Sequence, residues 1–156
     1  MKPTRSCEIS IDGASQGNPG PAGVGVVFLD GEARPIRQFA HYLGVTTNNV
    51  AEYLAFIYAL QEALQAGYTT VTIKTDSELL ARQINGQYKV RDPFLKLLHD
   101  LARHLMRGFR ECRVIHIPRT QNTAADRLAA QAVRDGRRRE AGGTQTAATS
   151  HALFDN

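Results

Sequence analysis

The sequence predicts an α/β protein built on one mixed five-stranded sheet, three antiparallel strands followed by parallel crossovers, with helices on both faces. Three observations carry that expectation. Strand-like runs rich in β-branched and aromatic residues fill the first third of the chain. The apolar period then lengthens to that of a helix from Val50, and short β-branched runs afterwards alternate with helical stretches, giving the order βββαβααβα. Strands joined by short turns pair antiparallel, whereas strands separated by a helix pair in parallel, so a single sheet accommodates both halves of the chain.

Cys7-Glu8-Ile9-Ser10-Ile11-Asp12 alternates apolar and polar residues and reads as a strand that breaks at Gly13 and again in the run Gly17-Asn18-Pro19-Gly20-Pro21. Val24 to Leu29 is largely β-branched or aromatic, and Asp30-Gly31 turns it into a third strand around Ile36 to Leu43. Val50, Tyr53, Leu54, Ile57, Leu60 and Leu64 recur at helical spacing between a start signal at Thr47-Asn48 and a stop at Gly67. That helix is apolar nearly all round in its first three turns, which predicts cover on more than one face. Thr70 to Thr75 reads as a short strand, Ser77 to Ile84 as a helix ended by Asn85-Gly86, and Asp92 to Met106 as a helix with Pro93 in its first turn and Gly108 as its stop. Arg113 to Ile117 gives the fifth strand and Thr123 to Val133 the last helix. From Gly136 onward come Arg137-Arg138-Arg139-Glu140 and then small and polar residues. Residues 1–135 are therefore expected to form the folded domain and 136–156 a flexible C-terminal tail.

A chain of 156 residues, 42% hydrophobic and 22% charged, reads as one soluble domain. At this size it buries roughly two-thirds of its unfolded surface and needs no disulfide or zinc staple. No stretch approaches the roughly 18 to 20 apolar residues of a membrane span, and Met1 to Ser6 lacks an apolar signal core. A cytoplasmic monomer without a membrane partner is expected. Cys7 and Cys112 show no CxxC or Cys/His spacing and read as small buried hydrophobes. The formal charge of +4 and a pI near 9.3 are compatible with a polyanionic partner without requiring one.

Four acids stand at element ends. Each has a local explanation: Asp12 as a turn residue before Gly13, Glu52 as a first-turn acid favoured by the helix dipole, Asp76 as a helix cap, and Asp126 as part of a cap with Thr123. Taken together they say more, because in an open α/β sheet such ends converge on the crevice outside the carboxyl ends of the strands. Four carboxylates in one crevice remain ionised only beside a multivalent cation, and an all-oxygen donor set suits Mg²⁺ or Mn²⁺ rather than zinc.

The stretches Asp12-Gly13-Ala14-Ser15-Gln16-Gly17-Asn18-Pro19-Gly20, Thr47-Asn48-Asn49-Val50-Ala51-Glu52, Thr75-Asp76-Ser77 and Asn122-Thr123-Ala124-Ala125-Asp126 resemble, in order and spacing, the four motifs of type 1 ribonuclease H. The resemblance spans roughly residues 7–135. It implies the ribonuclease H-like fold and an endonuclease that hydrolyses the RNA strand of RNA/DNA hybrids, leaving 5′-phosphate and 3′-hydroxyl ends. It also implies two metal ions, Mg²⁺ or Mn²⁺, held by Asp12, Glu52, Asp76 and Asp126. The alternative is a non-catalytic module of the same fold that binds hybrids or double-stranded RNA; loss of an acid would mark it, and all four are present.

By the same resemblance Asn18, Asn48, Asn49 and the backbone of Ala14, Ser15 and Gln16 would lie against the RNA strand. Amide groups suit the ribose 2′-hydroxyl that distinguishes RNA from DNA. Thr47 is open to two readings, a DNA phosphate contact or a plain helix cap, and Tyr88 offers a face to the DNA strand. The chain departs from many relatives in having no Trp, and the link from Gly86 to Pro93 is short where they carry a basic protrusion. Arg119 is the expected partner of the cleaved phosphate, with His116 as the alternative. The tail is open to three readings: no role, an arm in which Arg137 to Arg139 hold nucleic acid, or a Leu153-Phe154 peptide docking weakly on a sliding clamp.

Overall fold

β1 (Ser6–Ser15) and β2 (Gly20–Leu29) form a tight antiparallel pair, in which Ile9 and Ile11 face the core together with Val24, Val26 and Phe28. The computed structural model describes residues 3–142. β3 (Pro35–Thr46) pairs antiparallel with β2, while β4 (Thr70–Thr75) pairs in parallel with β1 and β5 (Glu111–His116) in parallel with β4. The sheet order is β3-β2-β1-β4-β5. The mixed five-stranded sheet expected from the sequence is thus the one found, with β1 at its centre.

One expectation fails at β1. The strand does not break at Gly13 but runs on to Ser15, with Gly13 opposite Val24. Asp12 is accordingly a strand residue and no turn.

α1 (Asn48–Gln65) is capped by Thr47, whose Oγ1 accepts from the Val50 amide at 3.3 Å. Its apolar girth is explained by two neighbours. Tyr53, Phe56 and Leu60 are buried in the core it shares with the sheet, and α3 (Pro93–Met106) covers α1 with Leu95, Leu98 and Ala102. A fully buried Leu60 alone contributes about 1.5–3 kcal/mol through removal from water. α2 (Glu78–Ile84) is capped by Ser77, not by Asp76.

α4 (Thr123–Ala141) crosses the opposite face of the sheet, over Gly23 and Gly25 of β2. It is longer than the Thr123 to Val133 segment predicted, so the expected boundary between 135 and 136 falls inside a helix. The small residues Ala125, Ala129, Ala132, Val133 and Gly136 continue at helical spacing and are all buried, whereas the arginines that looked like a tail are exposed and are good helix formers. The remainder of the expected tail, 143–156, lies outside the described residues, and with it the Leu153-Phe154 peptide.

Cys7 is buried and Cys112 half-buried; both are free, and burial pushes both thiols up to about 12. Among the described residues no helix is long and apolar enough to cross a membrane.

Candidate active site

The β1–β4 ladder is parallel and in register up to Ile11 opposite Thr75. The next residue on each chain is an acid, Asp12 on β1 and Asp76 just after β4, so topology sets these two side by side. Glu52 comes from α1 by a close approach. A Cβ on Gly13 would stand 2.2 Å from the carbonyl carbon of Ala51, so only glycine lets the helix backbone lie this near the strand. The Gly13 amide donates to Glu52 Oε1 at 2.7 Å and fixes that carboxylate. Glu52 lies beyond the first turn of α1, which holds no acid, so the dipole explanation for it does not apply.

Asp12, Glu52 and Asp76 each present an oxygen within 4.8 Å of the others. Asp12 and Glu52 are both only 5% exposed, which forces the repulsion to be met locally. Burial first, then the charges of Glu52, Asp76 and Asp126 and a hydrogen bond with the Asp126 carboxyl, push the Asp12 carboxyl well above the usual carboxylate range. Burial likewise raises Glu52. The Gly13 amide pulls it back down, Asp76 raises it, Arg119 lowers it and Asp126 raises it. Asp126, in the first turn of α4, stands half-exposed at the rim rather than within the triad. The N-cap position of α4 is Asn122, without a side-chain cap bond, and Thr123 is already the first helical residue, so the capping explanation for Asp126 with Thr123 does not hold either.

Arg119, in a 3₁₀ turn over Arg119–Gln121, brings Nη2 to 3.6 Å from Asp126 Oδ1 with its side chain largely in solvent. His116 ends β5 exposed. The Gly-rich turn closes with the Gln16 amide donating to the Pro21 carbonyl at 2.8 Å, and Asn18 Oδ1 accepts from the Asn48 amide at 3.0 Å. Asn18, Asn48 and Asn49 thus share one exposed surface. Ala14 and Ser15 lie half-buried at the end of β1 beside it. Thr47 is the helix cap, one of the two readings open to it. Tyr88 is exposed on the loop after α2, with the Arg82 guanidinium 5.3 Å from its ring centre.

Asn122 opens the motif that ends in Asp126, and the sequence assigns it no role. It is 1% exposed, and its Nδ2 donates to the Ile11 carbonyl at 2.8 Å and to Asp76 Oδ2 at 3.2 Å. Its position four residues before Asp126 was the available signal. The Gly13 amide, as a backbone group, left no trace in side-chain chemistry.

This donor set fits a divalent cation: carboxylate oxygens only, crowded, buried and short of counter-charge. A family model described as reverse transcriptase-like matches residues 10–132. The chain is 40% identical over 125 residues to ribonuclease HI of Halobacterium salinarum, covering 80% of this chain. It is 32% identical over 158 residues to a ribonuclease H of Syntrophotalea carbinolica, covering 87% of this chain and 97% of that protein. The chain belongs to the ribonuclease H family. The crystal structure of the Halobacterium salinarum enzyme superimposes with a TM-score of 0.82 at 38% identity, over 84% of this chain and 99% of that one. The ribonuclease H1 called LC11, obtained from compost and solved in complex with an RNA/DNA hybrid, does so with a TM-score of 0.80 at 38% identity, over 83% of this chain and 98% of that one. The chain spans 63% of the full Halobacterium salinarum relative and 35% of longer mycobacterial relatives.

Proposed function

We propose that this chain is an endonuclease that hydrolyses the RNA strand of RNA/DNA hybrids at the Asp12, Glu52, Asp76 and Asp126 site, with two Mg²⁺ or Mn²⁺ ions as cofactors. The observation that carries the reading is the meeting of three buried or half-buried carboxylates within 4.8 Å, with Asp126 at their rim. A bound divalent cation there supplies charge relief on the phosphate, a more acidic attacking water and stabilisation of the departing 3′ oxygen.

The protein's own groups do the rest. Glu52, held by the Gly13 amide, and Asp76, held by Asn122, are presented in fixed orientations, so little reorganisation accompanies loading. Arg119 is exposed and always charged, and contacts the phosphate that leaves with the 5′ end. Asn18, Asn48 and Asn49, with the Ala14–Gln16 backbone, sense the 2′-hydroxyls of the RNA strand. Thr47 binds a phosphate of the DNA strand while remaining the cap, and Tyr88 packs on that strand's sugars. The catalytic domain runs through the end of α4, and the enzyme acts as a monomer.

The test uses labelled RNA/DNA, RNA/RNA and DNA/DNA duplexes incubated with Mg²⁺ or Mn²⁺, comparing wild type with Asp12→Asn. The expected result is cleavage of the hybrid's RNA strand alone, lost in the variant. Binding of the hybrid without cleavage under either metal would point instead to a non-catalytic module, and undiminished cleavage by Asp12→Asn would remove the carboxylates from the mechanism.

A further inference from the structure

The extension of α4 past the expected boundary turns three arginines from a tail into a built surface. Arg127, Arg134, Arg137, Arg138 and Arg139 all lie on this helix and all are exposed. Arg127, Arg134 and Arg138 recur at spacings of seven and four, hence on one face that starts next to Asp126. Among the described residues none of the five is in an ion pair.

Arg138 and Arg139 sit in the last turn, where the helix dipole accounts for basic residues. It does not account for Arg137, whose Nη1 donates to Gln16 Oε1 at 2.8 Å. That bond joins the far half of α4 to the Gly-rich turn. The turn is bonded on its other side to the start of α1 through Asn18 and the Asn48 amide. The helix itself is firmly seated here: a Cβ on Gly136 would stand 2.0 Å from the ring of Tyr42 on β3. Arg137 is therefore an exposed cation held in place by one of its five N–H groups.

We propose that the C-terminal half of α4 is a second phosphate-binding surface for the nucleic acid, with Arg137, fixed against Gln16, as its principal contact. The inference rests on the hybrid-nuclease reading above. A guanidinium fork matches a phosphate, and this one adjoins the turn assigned to the RNA strand. At 1.5 Å per residue Arg137 lies about 16 Å along the helix from Asp126. At about 3.4 Å of duplex per phosphate of one strand, that is some five phosphates from the cleavage point. The surface thus offers grip away from the chemistry, in a chain whose link from Gly86 to Pro93 is short.

The experiment measures binding of an RNA/DNA hybrid by fluorescence anisotropy over a range of salt concentrations, in the Asp12→Asn background so that the duplex survives. Arg137→Ala should weaken binding by about tenfold and flatten the slope of log K against log salt by about 0.7–0.9, as loss of one phosphate contact does. Arg107→Ala, an equal change of charge at the end of α3, should leave both unchanged. Trimming the hybrid from one end to fewer than about four base pairs beyond the cleavage point should abolish the difference between Arg137 and Ala, and trimming the other end should not. Hybrid binding that Arg137→Ala leaves intact in both affinity and slope overturns the inference alone. So does a slope shared equally by Arg107→Ala. No hybrid binding by the Asp12→Asn protein itself overturns the functional reading beneath it.

Discussion

Replacing Asn122 with alanine removes two hydrogen bonds, and the consequences separate into stability and metal binding. The amide donates to the carbonyl of Ile11, a residue with no exposure, and to Asp76 Oδ2. Removing the donor from such a buried pair costs about 1–3 kcal/mol. For a domain of this size each kcal/mol lowers Tm by about 2–4 °C, so a loss near 2 kcal/mol corresponds to about 4–8 °C. Asp76 meanwhile loses the group that orients it, and outer partners of metal ligands are typically worth about 10–100-fold in affinity. Thermal unfolding by circular dichroism with a chelator present reads the first effect, and calorimetric titration with Mn²⁺ reads the second. Asn122→Asp, of equal size, should be worse than alanine on both, because it turns an acceptor toward two acceptors and adds a fifth negative charge. An Asn122→Ala protein that melts within about 1 °C of wild type and binds Mn²⁺ as tightly would refute the assignment.

Three further outcomes follow from the same geometry. Asp12 and Glu52 are both raised in the metal-free fold, so between the ordinary carboxylate range and their raised values the native state holds more protons than the unfolded chain. Stability in chelator must then fall as pH rises across about pH 5 to 9; saturating Mg²⁺ or Asp12→Asn should flatten the decline, and a melting temperature independent of pH in chelator would contradict it. Gly13→Ala drives a methyl group into the α1 backbone at 2.2 Å and should cost about 3 kcal/mol or more, seen as a large drop in Tm together with weakened metal binding. Arg119→Ala should lower kcat by about tenfold or more while His116→Ala leaves it unchanged, since only Arg119 reaches the carboxylates; the reverse ranking in single-turnover assays would reassign the role.

What was legible in the sequence was whatever a local pattern determines. The β4 strand, the cap at Thr47 and the Pro93 start of α3 are local signals, and each element appears where its signal lies. Asp12, Glu52, Asp76 and Asp126 were legible because they sit beside such signals. The misreadings share a different cause. Gly13 looks like a break in one dimension, and only the helix lying against it shows why a strand residue must be glycine. Gly136 with three following arginines looks like the start of a tail, until Tyr42 supplies the surface that a residue without a side chain fits. Glycine signals both a turn and a close contact, and the sequence does not say which partner is absent. The Arg137–Gln16 bond joins residues so far apart in the chain that no pattern within either segment announces it.

The topology also explains why so many acids are tolerated at one place. β1 and β4 run in parallel, so their carboxyl ends, with Asp12 and Asp76, open on the same side of the sheet. α1 follows an antiparallel strand and α4 follows a parallel one, and both start on that side, bringing Glu52 close to the beginning of one and Asp126 into the first turn of the other. The start of α4 carries partial positive charge beside Asp126, which relieves part of the repulsion. The relief is incomplete, since burial and mutual charge still leave Asp12 and Glu52 raised. A fold that presents acids at two helix starts and two parallel strand ends, yet does not neutralise them, is stable as a loaded site and strained as an empty one. Cation binding, site geometry and stability are therefore one property of this arrangement, and a change at Gly13 or Asn122 must move all three together.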